Sequence, residues 1–170
     1  MGVCLDLSGT IKKASSYFMI YLGADHRGFY LKERLKEYLQ AIHQDFEDLG
    51  NFVYDVQDDY PDFARLVAQK ISRRPKNNFG ILICGSGQGM NIVANKYPKI
   101  RSALCLSRWM AQQARRDDDA NILVLAADFT DTQTAFSIIK TFLNTKASQQ
   151  MRFKRRLKKI ALLEKKLFKY

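Results

Sequence analysis

Three cysteines, two histidines and three prolines in 170 residues leave little material for several common kinds of site. Cys4, Cys84 and Cys105 are odd in number and widely spaced, which argues against a disulfide framework and fits a reducing compartment. With His26 and His43 as the whole histidine complement, no metal-ligand spacing emerges, and no metal site is expected. No apolar run approaches the roughly 20 residues that span a bilayer, and no apolar stretch with a small-residue cleavage site opens the chain. A cytoplasmic protein with no membrane partner is the expectation.

What is present is the material of one globular domain. At 46% hydrophobic and 26% charged residues the chain can bury one sizeable core, which excludes intrinsic disorder. The net charge of +11 resembles a nucleic-acid signature until it is followed along the chain. Nine Lys or Arg against Glu164 give Met151 to Tyr170 a charge of +8, leaving +3 for the first 150 residues. Arguments about polyanionic partners therefore concern the tail alone. The aromatics lack the alternation with basic residues that a single-strand nucleic-acid platform requires, and Trp109 is expected in the core.

Short apolar runs alternate with amphipathic stretches. Strands are expected at Phe18 to Gly23, Phe52 to Val56, Phe79 to Cys84, Arg101 to Leu106 and Asn121 to Ala126. Helices are expected at Gly28 to His43, Asp62 to Arg73, Gly89 to Asn95, Ser107 to Arg115 and Thr132 to Lys146. Strands each followed by a helix imply a parallel sheet covered on both faces, a doubly wound α/β fold whose ligands bind beyond the carboxyl ends of the strands. Residues 1–16 read as an extension in which Gly2 and Cys4 hint at acylation, although Asp6 stands where that motif wants Ser or Thr. The tail carries a helical apolar stripe at Phe153, Leu157, Ile160, Leu163, Leu167 and Phe168, and is expected to pack on something.

Two strand ends carry chemistry. Ile81 to Cys84 runs into Gly85, Ser86, Gly87, Gln88, Gly89 and Met90, a turn that can aim several N–H groups and a helix N-terminus at one point. Cys84 at its lip is a candidate nucleophile or base, with the thiolate favoured by the helix start; it could equally be a small residue closing a buried strand. Gly23-Ala-Asp25-His26-Arg27-Gly28 follows the first strand. Capping accounts for Asp25 but not for His26 or Arg27. Asp58-Asp59-Tyr60-Pro61-Asp62 and Arg115-Arg116-Asp117-Asp118-Asp119 read as cap and turn residues on their own.

In this order the blocks from Gly23 to Gly28 with Lys32, Asp59-Tyr60-Pro61, Cys84 to Met90, Ala94-Asn95-Lys96, Ile100-Arg101 and Asn121 resemble ribose 5-phosphate isomerase B and the galactose 6-phosphate isomerase subunits. The resemblance implies a Rossmann-like three-layer sandwich with a five-stranded parallel sheet, a homodimer or dimer of dimers, and cofactor-free interconversion of an aldose phosphate with its ketose. It divides the chain into the extension, a sugar-phosphate isomerase domain at 17–149 and a basic C-terminal helix at 150–170 packed at the dimer interface. Cys84 falls on the base, with Ser86 a hydroxyl beside it and Gly85, Gly87, Gln88, Gly89 and Met90 an oxyanion-holding loop. Asp25, His26, Tyr60 and Asn121 fall on sugar or phosphate contacts, and Arg152 and Arg156 on arginines that reach the phosphate across the dimer. Asp117 stands where ribose-type members carry a ring-opening histidine, and needs burial or Asp118 and Asp119 to raise its pKa if it is to act as an acid. Asp128 stands where an arginine usually meets the phosphate, and would repel a dianion unless it points away. Ribose 5-phosphate is the expected substrate; a galactose 6-phosphate-type or catalytically weakened binding subunit is the alternative.

Overall fold

The computed structural model describes residues 18–76 and 78–168, so the extension with Gly2 and Cys4 lies outside the described residues. In chain order the elements are β1 (Met19–Ala24), α1 (Phe29–Ala41), β2 (Phe46–Asp48), α2 (Tyr60–Arg73), β3 (Asn78–Cys84), α3 (Gln88–Ala94), β4 (Ser102–Leu104), α4 (Arg108–Asp118), β5 (Ile122–Ala126), α5 (Thr132–Asn144) and α6 (Met151–Phe168). The strands pair in parallel in the order β2-β1-β3-β5-β4. The three-layer α/β sandwich expected from the sequence is the fold observed.

Side chains alternate across a strand, so β3 serves both layers at once. Ile81 and Ile83 join Leu31, Leu35 and Leu39 of α1 and Ile138, Ile139 and Phe142 of α5. Leu82 and Cys84 join Val67 and Ile71 of α2 and Met90 of α3. Consecutive apolar residues are what a central parallel strand requires, since neither face reaches water.

The second strand was expected at Phe52 to Val56 and lies instead at Phe46–Asp48. Its pairing is with β1 alone, through Ile20 with Phe46 and Leu22 with Asp48. As an edge strand it carries acids that meet lysines: Glu47 binds Lys70 at 2.7 Å and Asp48 binds Lys32 at 2.6 Å. The run at 52–56 is an exposed loop, with Phe52 and Val53 at 70% and 75% exposure and Tyr54 stacked on Tyr30. Trp109 is also exposed rather than in the core. It stands two positions before buried Ala111, which turns it to the far side of α4.

The strand order turns around between β1 and β3, and their carboxyl ends are neighbours: Ala24 is in register with Ile83, and Cys84 with Ala126 of β5. That switch point fixes where a ligand can sit. The tail helix α6 buries Phe153 and leaves Ile160, Leu163 and Leu167 of its apolar stripe exposed.

The two-layer role of β3 makes a stability prediction. Leu82→Ala, at a fully buried position, should cost about 2–5 kcal/mol in urea unfolding, whereas Val53→Ala in the exposed loop should stay within about 0.5 kcal/mol. Equal costs at the two positions would contradict this arrangement of layers.

Candidate active site

Three loops meet at the carboxyl edge of the sheet. The N–H of Asp25, after β1, donates to the Ile83 carbonyl at 3.3 Å, and the N–H groups of Ala127 and Asp128, after β5, donate to the carbonyls of Cys84 and Gly85 at 2.9 and 3.1 Å. Cys84 is thereby held at the centre, 5% exposed. The glycine loop folds back over it. Gly87, at φ +75°, takes the left-handed turn that few other residues tolerate, and its N–H donates to Cys84 Sγ at 3.2 Å. The Met90 N–H also favours the thiolate, while the Met90 side chain is wholly in the core, so Met90 serves this edge through its backbone. Ser86 is exposed, its Oγ accepting from the Gln88 N–H at 3.4 Å.

The helix start was expected to favour the thiolate of Cys84; burial, with the Asp25 carboxylate adding to it, outweighs the two amides and pushes the thiol up from its ordinary value. A thiol so placed yields a strong proton acceptor once ionised. Cys105, buried without such donors, is pushed up to about 12 and is an inert core thiol.

Asp25 is buried and accepts from the Gly28 N–H at 3.0 Å in the turn before α1, whose N-cap is Gly28 with no side-chain cap, and burial raises its pKa. His26 is held differently. Its Nδ1 lies 2.6 Å from Asp58 Oδ1, and Asp58 Oδ2 accepts from Asn51 Nδ2 at 2.6 Å. The chain Asn51, Asp58, His26 fixes the ring and leaves Nε2 for a ligand. Sequence reasoning missed Asn51 and gave Asp58 only a capping role. Two adjacent acids precede a helix start that has one N-cap, Asp59, and the surplus acid was the available signal. Tyr60 lies against the glycine loop: a Cβ on Gly89 would meet its ring at 2.5 Å.

The other expected site residues stand at the opposite edge. Asp117 is in the last turn of α4, which feeds the start of β5, whereas Cys84 is at the end of β3. A hydrogen bond from Arg116, together with the charges of Arg152 and Arg156, holds its carboxyl below the usual range. The rise that an acid role for Asp117 would need is thus absent, because the neighbours that dominate are cations. Asn121 is corrected too. Its Oδ1 accepts from the Arg101 N–H at 2.9 Å and its Nδ2 donates to the Lys99 carbonyl at 2.8 Å, so a buried amide expected at the substrate pins the turn before β4. Asp128 does not face the site as a bare carboxylate, since Arg27 donates to it. Among the described residues no helix is long and apolar enough to cross a membrane.

The family profile described as Ribose/Galactose Isomerase matches residues 20–160. The chain belongs to that family. It is 38% identical over 148 residues to the probable ribose-5-phosphate isomerase B of Mycoplasma genitalium, covering 87% of this chain and 97% of that one. The ribose-5-phosphate isomerase B of Mycobacterium tuberculosis H37Rv is 36% identical, with coverage of 86% and 90%. The crystal structure of the Mycoplasma genitalium enzyme with bound ribulose-5-phosphate superposes with a TM-score of 0.84 over 87% of this chain and 97% of that chain, at 38% identity. Like its family, the chain is an enzyme of the aldose–ketose isomerase class.

Removing the Asp25 charge should move the thiol of Cys84. In Asp25→Asn, which can still accept from Gly28, the midpoint of the alkylation rate of Cys84 against pH should shift to lower pH, because a carboxylate that disfavours the thiolate is gone. An unchanged or higher midpoint would show that Asp25 and Cys84 do not interact.

Proposed function

We propose that the chain interconverts ribose 5-phosphate and ribulose 5-phosphate, with Cys84 as the base. The observation that carries this reading is a thiol at the end of the central strand that accepts from the Gly87 N–H, beside Asp25 and His26, in a chain of this family. As thiolate, Cys84 takes the proton from C2 of the open aldose. The electron pair moves to the carbonyl oxygen, giving an enediolate. The same sulfur returns the proton to C1 while the hydroxyl proton of C2 passes to the oxygen on C1, so atoms and electrons balance with no external oxidant. The backbone from Gly85 to Met90 holds the developing oxyanion, Ser86 stands beside it, and His26 and Tyr60 bind the sugar.

The carboxyl edge of one chain is incomplete for this chemistry. Asp117, Arg152 and Arg156 gather at the other edge, as the shared electrostatics of Asp117 with both arginines shows. A cavity of about 480 Å³ between β4 and α6, lined by Tyr97, Ile100, Ala103, Leu157, Ile160 and Leu163, lies away from Cys84. We place Arg152 and Arg156 of a second copy over the Cys84 loop, with Asp117 as their counter-ion rather than as the ring-opening acid. The exposed apolar face of α6 fits that assembly.

The test is an assay of ketose formation on a panel of pentose and hexose phosphates. Ribose 5-phosphate should be preferred, and Cys84→Ala should lose more than about 100-fold with folding retained. Activity above about a tenth of wild type in that variant, against losses of this order for a true general base, would remove Cys84 from proton transfer. Hybrids of Cys84→Ala with Arg152→Ala chains should regain activity, since one of the two shared sites is then intact; hybrids as inactive as the parents would contradict the shared site.

A further inference from the structure

Arg27 has no task in the chemistry described so far, yet the loop is built around it. It follows His26 after β1 and lies across the neighbouring loop: a Cβ on Gly85 would stand 2.3 Å from its Nε and 2.4 Å from its Cζ. A side chain at position 85 would displace the guanidinium from this place. Beyond Gly85, Nη2 of Arg27 donates to the Asp128 carboxylate. Asp128 is anchored in turn by its N–H on the Gly85 carbonyl at 3.1 Å. The pair bridges the ends of β1 and β5 over the loop of Cys84, and the Arg27 charge is close enough to favour that thiolate.

The pair contributes little to folding. The side chains are 55% and 33% exposed, and ion pairs so open to water stabilise by about 0–1 kcal/mol. Positioning is the better account. A guanidinium presents five N–H donors in a fixed fork, so one carboxylate partner leaves donors directed to solvent at the mouth of the site. That mouth is otherwise acidic: Asp25 and Asp58 lie on one side of Cys84 and Asp128 on the other. Lys32 is fully buried on Asp48 and Glu33 and takes no part. A phosphate dianion approaching this edge needs cations, and on the chain's own half of the site Arg27 is exposed beside the loop.

We propose that Arg27, held over Gly85 by Asp128, binds the phosphate of the substrate from the chain's own half of the site. The proposal rests on reading the site as one for a phosphorylated sugar. Asp128, expected to repel the dianion, is then the tether that aims the guanidinium.

The test compares Arg27→Ala, Arg27→Lys and Arg27→Asp with the charge exchange that joins Arg27→Asp to Asp128→Arg. Each variant, its fold verified by circular dichroism, is assayed on ribose 5-phosphate and separately titrated with inorganic phosphate by calorimetry. Arg27→Ala should raise KM at least about tenfold, the low end for a hydrogen bond to a charged group, with a smaller fall in kcat and a similar loss of phosphate affinity. Arg27→Lys should fall between it and wild type. Arg27→Asp should be worse than Arg27→Ala, and the exchange should recover at least about tenfold of that loss by restoring one cation beside one anion. KM and phosphate affinity in Arg27→Ala within about twofold of wild type, a change too small for a lost charged contact, would overturn the proposal. So would an exchange no better than Arg27→Asp, or a wild type that binds no phosphate. Should the wild type bind phosphate but turn over no ribose 5-phosphate, the substrate reading fails by itself, and the phosphate titration of Arg27→Ala still decides the role of Arg27.

Discussion

Burial of β3 on both faces determines where every reactive group of this edge can stand. From Gly80 onward the strand is buried between two helical layers and carries no polar side chain, and it ends at Cys84, whose sulfur belongs to the α2 and α3 layer while its carbonyl pairs with the loop after β5. The glycine loop must then turn at once, because α3 begins at Gln88 and packs Met90 back into the same layer. Position and reactivity of the thiol are one consequence: the packing that fixes it also desolvates it, and the returning amides offset part of that cost.

The same constraint divides the charged residues between the two edges of the sheet. Parallel strands send every loop after a strand to one edge and every loop before a strand to the other. Asp25, His26, Arg27 and Asp128 fall on the first, and Asp117 on the second, within reach of the charges of Arg152 and Arg156. Two separate sets of hydrogen bonds at the first edge hold His26 through Asp58 and Asn51, and Arg27 through Asp128. Held in this way, the side chains lose little further freedom when a ligand arrives.

The central strands were legible in the sequence because their apolar runs and their burial coincide: Phe79 to Cys84 and Asn121 to Ala126 need no partner to be recognised. The edge strand was not. Phe46–Asp48 gains its place from lysines on α1 and α2, which no local pattern reports, while Phe52 to Val56 has the composition of a strand and lies on the surface. The site shows the same division. Cys84 with its glycines, and Asp25 with His26, are contiguous blocks at strand ends and could be found from spacing. The bonds of His26 to Asp58 and of Arg27 to Asp128 join residues 32 and 101 positions apart, and only the strand order brings them together. Asn121 shows the reverse error: its block fits the family pattern, yet its amide is spent on the backbone of Lys99 and Arg101.

Proton transfer by the thiol of Cys84 is measured most directly by following the isotope at C2. Ribose 5-phosphate deuterated at C2 is incubated in ordinary water with wild type and with Cys84→Ser, and loss of deuterium from substrate and product is followed by NMR. Proton transfer by Cys84 predicts that wild type releases deuterium to solvent or carries it to C1 at a rate matching ketose formation, and that both processes collapse together in the variant. Exchange at C2 that continues in Cys84→Ser at the wild-type rate would show that another group removes the proton, and would contradict the account.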